Sequence, residues 1–202
     1  MKKIISLFQR NYDGDRLVRN EVVPGAEWVL TGEGSATRKF NGTCCMVRDG
    51  KLYKRYGVKQ IGSRPLPIDF EPVNEVDEVT GKQQGWVPVG DGPEDHWHRE
   101  AWTNQMAYIH HLNGTTWELC GPKVQGNPER AYTESEVGPN MHLLIPHGRF
   151  ILADCPHDFD GLKVYLTQHD IEGIVWWRNL SDQDCDKVKI KGRDFGSKRG
   201  RQ

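Results

Sequence analysis

The stretch that decides the reading is "ATRKFNGTCCMVRDGKLYKRY", residues 36–56. Asp49-Gly50 joins two extended runs, "TCCMVR" and "KLYKRY", and an Asp-Gly pair between such runs is a strong hairpin signal. Ahead of that hairpin stands Lys39, followed two residues later by Asn41-Gly42. Lysine on a strand is ordinarily a solvated edge residue. Its place at the threshold of an apolar run, with a short polar side chain and a glycine behind it, raises the question of a chemical role.

Composition bounds the answer. The chain has 202 residues, enough for one sizeable core or one domain with a small appendage. Hydrophobic residues at 36% and charged residues at 27%, with seven Trp, describe a globular protein. A formal net charge of -1 announces no global polyanion partner, but the distribution is uneven. Asp69 to Glu78 is acidic without a basic residue. The stretch from Lys187 to Arg201 holds Lys187, Lys189, Lys191, Arg193, Lys198, Arg199 and Arg201 against one acid, Asp194. That end reads either as a local polyanion contact or as a solvated terminus.

Five cysteines form no CxxC pair, which argues against a zinc ribbon and a disulfide scaffold and fits a reducing compartment. The histidines form no HExxH motif, and "HWH" and "HH" read as helix-surface residues. The N-terminal apolar run is too short for a signal peptide, and no segment has the apolar length of a membrane span. The expectation is a cytoplasmic protein without a membrane partner.

Along the chain, "EWVL" (Glu27 to Leu30), "GWVPV", "TTWELCG", two pieces within "HLLIPHGRFILAD", "IEGIVWW" and "KVKIK" read as strands. Residues 94–112 and the "DFDGLKVYLTQ" segment read as helices. Residues 63–85 read as a surface loop, and "PKVQGNPE" as a turn-rich connection. Many short strands with hairpin connections and two helices predict an α+β fold with largely antiparallel sheets and flanking helices.

Four features carry residue types suited to chemistry: Lys39 in "KFNG", Glu118 in "WELCG", Glu172 in "IEGIVWW", and Lys189 with Lys191 in "VKIKG". An acid beside so apolar a string as "GIVWW" demands a partner. Lys189 and Lys191, two apart on a strand, share one face and suit a phosphate, though the polar face of an edge strand is the plainer reading of each alone. In order, K-x-N-G, a strand ending in Arg55, W-E-L-x-G, E-G-I-V and K-x-K resemble the covalent nucleotidyltransferase superfamily. That superfamily holds ATP-dependent DNA and RNA ligases and mRNA-capping guanylyltransferases. Within it, "NGTCC", "GWVPV", "HLLIPHG" and "IEGIVWW" look like the 5′-to-3′ RNA ligases that include the vertebrate RNA ligase 1 family. The resemblance runs from about Trp28 to Gly196.

The resemblance implies a nucleotidyltransferase (ATP-grasp-like ligase adenylation) domain over residues 1–196, a basic tail over 197–202, and no OB-fold domain. Lys39 matches the nucleophile that attacks the nucleotide α-phosphate, with Asn41 and Gly42 completing its motif. Arg55 matches an arginine that contacts the nucleotide and the incoming 5′-phosphate end. Glu118 matches the acid on the ribose hydroxyls, Glu172 the carboxylate that acts with the metal, and Lys189 and Lys191 the pair on the α-phosphate. The implied reaction is self-adenylylation from ATP with Mg²⁺ or Mn²⁺, then sealing of a 5′-phosphate RNA end to a 3′-hydroxyl, with no obligate protein partner. A lysine nucleophile must lose its proton, which desolvation and neighbouring cations favour. Phe150 is the candidate for stacking on the base, and Lys198, Arg199 and Arg201 for holding RNA. Many relatives have Glu just before the nucleophile where this chain has Arg38, which leaves GTP open beside ATP. A capping guanylyltransferase, a small DNA ligase and a non-enzymatic module for nucleotides or RNA ends are the alternatives.

Overall fold

A computed structural model describes residues 4–59, 65–78 and 80–197. In chain order these form β1 (Ile5–Ser6), β2 (Phe8–Arg10), β3 (Val18–Val22), β4 (Ser35–Lys39), β5 (Thr43–Arg48), β6 (Lys51–Lys59), β7 (Glu71–Pro72) and β8 (Lys82–Pro88). There follow α1 (His96–Ile109), β9 (Thr115–Cys120), α2 (Arg130–Val137), β10 (Leu143–Pro146), α3 (Phe159–Gln168), β11 (Gly173–Trp177) and β12 (Lys187–Lys191). The fold is therefore mixed, with antiparallel sheets and few helices. Among the described residues no helix is long and apolar enough to cross a membrane. The chain divides into two compact units, one within Asn41–Pro146 and the other built from residues 4–40 and 147–197.

The first unit is organised by the six-stranded sheet β10-β9-β5-β6-β8-β7, antiparallel throughout. Its centre is the hairpin expected from Asp49-Gly50. Both residues have positive φ, 50° and 70°, and Arg48 pairs with Lys51 across a two-residue loop. Strand alternation sends Cys45, Val47, Leu52, Trp117, Leu119 and Leu144 into one core with Ala101 and Ile109 of α1. The opposite face carries Met46, Tyr53 and Trp86.

The second unit holds the four-stranded sheet β1-β12-β11-β4, in which only β1 runs parallel to its neighbour. Alternate residues Ala36, Ile174, Trp176, Val188 and Ile190 pack on Leu162 and Leu166 of α3 and on Trp28, Val29 and Phe8. Full burial of a side chain such as Ile174 or Ile190 stabilises the unit by about 1.5–3 kcal/mol. Phe8, Phe159 and Phe195 close that core edge to face, with ring centroids 5.0–6.5 Å apart.

The structure corrects four expectations. Glu27–Val29 is a 3-10 turn, not a strand, closed by Val29 N–H to Ala26 O and Leu30 N–H to Glu27 O. A short apolar run cannot separate the two states by periodicity, and here Trp28 and Val29 are both buried. "FILAD" forms no strand; it touches β4 through the bridge Thr37–Ile151 and the bonds Arg38 N–H to Phe150 O and Leu152 N–H to Ala36 O. The segment 63–85 is not all loop, since β7 pairs with β8 from Glu71 and β8 starts at Lys82. A third helix, α2, follows the turn-rich "PKVQGNPE".

Candidate active site

Lys39 is the last residue of β4, in the four-stranded sheet and not in the hairpin it precedes. Gly173 of β11 pairs with Lys39 on one side and with Lys191 of β12 on the other. Directly opposed residues share a face, so Lys39, Gly173 and Lys191 form one row, and Thr37, Val175 and Lys189 form the next. The lysines thus stand on the face away from the apolar core.

Glycine in the middle of that row leaves the two lysines without a side chain between them. It is also required by packing: a Cβ at Gly173 would lie 2.2 Å from the Ile190 carbonyl oxygen and 2.9 Å from Lys191 Cα. This close approach brings Glu172 to both amines. Lys39 Nζ donates to Glu172 Oε2 and Lys191 Nζ to Glu172 Oε1, each at 2.5 Å. Lys39 also donates to the Phe40 carbonyl at 3.1 Å. The Glu172 backbone is fixed as well, its carbonyl accepting from Gly192 N–H at 3.0 Å. The turn after β12 is held by Asp194, which accepts from the Lys191 N–H and pairs with Arg10.

The side chains are mostly withdrawn from water, 20% exposed for Lys39, 15% for Lys191 and 11% for Glu172. Burial pushes the Glu172 carboxyl up, but the charges and hydrogen bonds of Lys39 and Lys191 outweigh it and hold it below its ordinary value. Lys191 comes down, through burial and then the like charge of Lys39, although Glu172 opposes the shift. Lys189 is pushed down to about 8 by burial, reinforced by the charges of Lys191 and Lys39. Three amines against one carboxylate form a cationic cradle suited to an anion such as a phosphate.

Arg55 and Glu118 belong to the first unit. Glu118 pairs with Cys44 across β9 and β5, and strand alternation puts Arg55 on the same sheet face. Arg55 lies over the Trp86 ring, its Cζ 5.1 Å from the centroid, and burial lowers the pKa of its guanidinium. Glu118 is buried, and its Oε1 accepts the Gly42 N–H at 2.9 Å. Phe150, in the second unit, is half-buried, set edge to face against Phe40 at 5.3 Å with Arg149 over its ring. Lys198, Arg199 and Arg201 lie outside the described residues.

Sequence reasoning missed Glu129, a buried acid whose Oε1 accepts the Asn41 N–H at 3.0 Å. It sits within the segment read as a connection, and only its burial marks it. Among the described residues no group of three or more His, Cys, Asp and Glu side chains gathers as a metal site. Glu172 offers one carboxylate, which fits a Mg²⁺ or Mn²⁺ whose other ligands are phosphate oxygens and water. It does not fit a metal held by protein ligands alone.

One sheet face thus carries three lysines, two of them bonded to one glutamate, and the first of them stands in K-x-N-G. The chain is similar to RNA ligase 1 of Mus musculus, 24% identical over 204 residues, and to RNA ligase 1 of Pongo abelii, 28% identical over 207 residues. These alignments cover 70% and 69% of this chain, and 62% of each relative. The chain thus spans less than two thirds of the curated relatives it matches. No protein-family model matches it.

Proposed function

We propose that the chain is an RNA ligase of the covalent nucleotidyltransferase class, and that residues 1–196 act as its adenylation domain. The observation that carries the reading is the convergence of Lys39 and Lys191 on the two oxygens of Glu172, with Lys189 on the same face. Similarity to proteins named RNA ligase 1 supports the choice of RNA as substrate.

In this reading Lys39 Nζ, once deprotonated, attacks the α-phosphorus of ATP. A P–N bond forms, the bond from that phosphorus to the bridging oxygen breaks, and pyrophosphate leaves. Lys189 and Lys191 hold the phosphate oxygens and offset charge developing in the transition state. Glu172 is the residue that would hold Mg²⁺ or Mn²⁺, which when bound neutralises phosphate charge. Glu118 and Arg55 take the ribose hydroxyls and the incoming 5′-phosphate end, and Phe150 the base. AMP then passes to a 5′-phosphate RNA end, and attack by a 3′-hydroxyl seals the strand and releases AMP. Lys198, Arg199 and Arg201 are assigned to the RNA backbone, and the cytoplasm to the protein.

The test is incubation with labelled ATP, GTP and NAD in separate tubes with Mg²⁺ or Mn²⁺, followed by a denaturing gel and peptide mapping. Label from ATP on Lys39 is expected. Label from GTP alone would favour a guanylyltransferase, and no stable label from any donor would favour a binding module.

A further inference from the structure

We infer that Glu172 is a place-holding anion: its carboxylate bridges Lys39 and Lys191 where a phosphate group of the ligand would, and the two exchange by the glutamate swinging out. That the ligand is a nucleotide rests on the adenylylation reading above. The exchange itself concerns one sheet face of the second unit alone. The row Lys39, Gly173, Lys191 offers two ammonium groups with no side chain between them, and the anion that joins them comes from outside the row.

The way Glu172 is held suits exchange. It is not part of the sheet, standing in the bend between α3 and β11, one residue before β11 begins. Its backbone is anchored there by the Gly192 amide, so the carboxylate can leave by rotation about its own side-chain bonds while the strands stay in place. Its two oxygens are divided, Oε2 to Lys39 and Oε1 to Lys191, as two oxygens of one phosphate would be. Lys189, in the neighbouring row, is not bonded to the carboxylate. Three amines therefore face one negative charge, and an anion with several charges is the better match. A small monoanion gains little by displacing Glu172, which sets a threshold that a polyphosphate clears.

The experiment measures binding of inorganic pyrophosphate, without added metal, by calorimetry at neutral pH. Wild type is compared with Glu172→Gln, which keeps the shape, and with Glu172→Met, which brings no hydrogen-bond donor; whichever folds carries the comparison. Each change is also made together with Lys191→Met. Loss of the carboxylate should tighten pyrophosphate binding about 10- to 100-fold, the scale of a hydrogen bond between charged groups. Because the gain comes from released amines, it should shrink when Lys191 is replaced. An equal gain in both backgrounds would show that Glu172 acts only as a nearby negative charge, and would overturn the inference. So would unchanged or weaker binding in the Glu172 variants. In the wild type, the isotope-labelled Glu172 carboxyl carbon should shift its resonance as pyrophosphate saturates the protein. An unmoved resonance overturns the exchange even where no variant folds. The labelled-ATP experiment is scored apart. Wild type that forms no adduct on Lys39 yet shows this pyrophosphate pattern removes the adenylylation reading and leaves the exchange standing for another polyphosphate. An adduct without the pattern removes the exchange alone.

Discussion

Lys39 and Lys191 stand on opposite sides of Gly173 in one row of the four-stranded sheet, and their amines share the Glu172 carboxylate at 2.5 Å each. The sheet register makes this convergence, so the site depends on the glycine as much as on the charged residues. Lys39→Ala and Lys39→Arg are both expected to abolish the ATP-derived adduct, because a guanidinium stays protonated and is a poor nucleophile. Peptide mapping that finds the label on another lysine would remove Lys39 from its role.

Gly173→Ala should be felt twice. The added Cβ meets backbone, not a flexible side chain, so β11 and β12 must separate. Urea unfolding should show a loss of about 1–3 kcal/mol, the usual cost of overpacking. Adduct formation should fall with it, as Glu172 is carried away from Lys191. A variant as stable and as reactive as wild type would mean the row tolerates a methyl group.

Glu172→Gln leaves two ammoniums facing each other with no counter-charge, and breaking such a partly buried pair should cost about 1–3 kcal/mol at neutral pH. The sign with pH follows from the depressed carboxyl pKa. A carboxylate lowered by folding contributes stability above its unfolded pKa of about 4.5, and that contribution disappears as pH falls through the folded value. The gap between wild type and variant should therefore be full at pH 7 and shrink in acid. A gap independent of pH would separate the ion pairs from stability.

Lys189 runs the other way. Its folded pKa of about 8 lies below the ordinary 10.5, so the charged form opposes folding at neutral pH and is relieved as pH rises from about 8 to 10.5. Lys189→Met should stabilise the protein at pH 7 by about 1–3 kcal/mol, with the advantage vanishing near pH 10.5. The same change should weaken nucleotide handling, the exchange expected where a site holds unfavourable charge. Urea unfolding at pH 7 and pH 10 decides it, and destabilisation at pH 7 would contradict the electrostatic account.

The basic tail gives a prediction about RNA. Ending the chain after Gly196 should leave self-adenylylation nearly intact while sealing weakens with a shallower salt dependence, about 0.7 of a unit per lost contact to a single strand. Ligation unchanged at every salt concentration would return Lys198, Arg199 and Arg201 to the solvent.

Much of the second unit's site was legible because strands repeat every two residues. "VKIK" places Lys189 and Lys191 on one face at sight, and an acid before "GIVWW" must find a cation. What could not be read was the partner of each strand. Lys39 sits four residues from a hairpin yet pairs with β11, more than 130 positions away, and no local pattern encodes that. Asp49-Gly50 announced its turn through positive φ, whereas Trp28 and Val29 gave no period to separate a turn from a strand. Glu129 was hidden for another reason: a lone acid in a turn-rich stretch looks solvated until the structure shows it buried.

The first ten residues have a bearing on how this protein can be handled. β1 lies along the outer edge of β12, and the Leu7 amide donates to the Lys189 carbonyl at 2.8 Å. A version trimmed to begin at Trp28 would strip that cover and leave β12 with an open row of amides and carbonyls. Such an edge recruits strands from neighbouring molecules, so the trimmed protein should self-associate through the very strand that carries Lys189 and Lys191. The same cut removes Phe8 from the core and Arg10 from Asp194, so light scattering across protein concentration is needed to separate blocked access by a second molecule from damage to the fold.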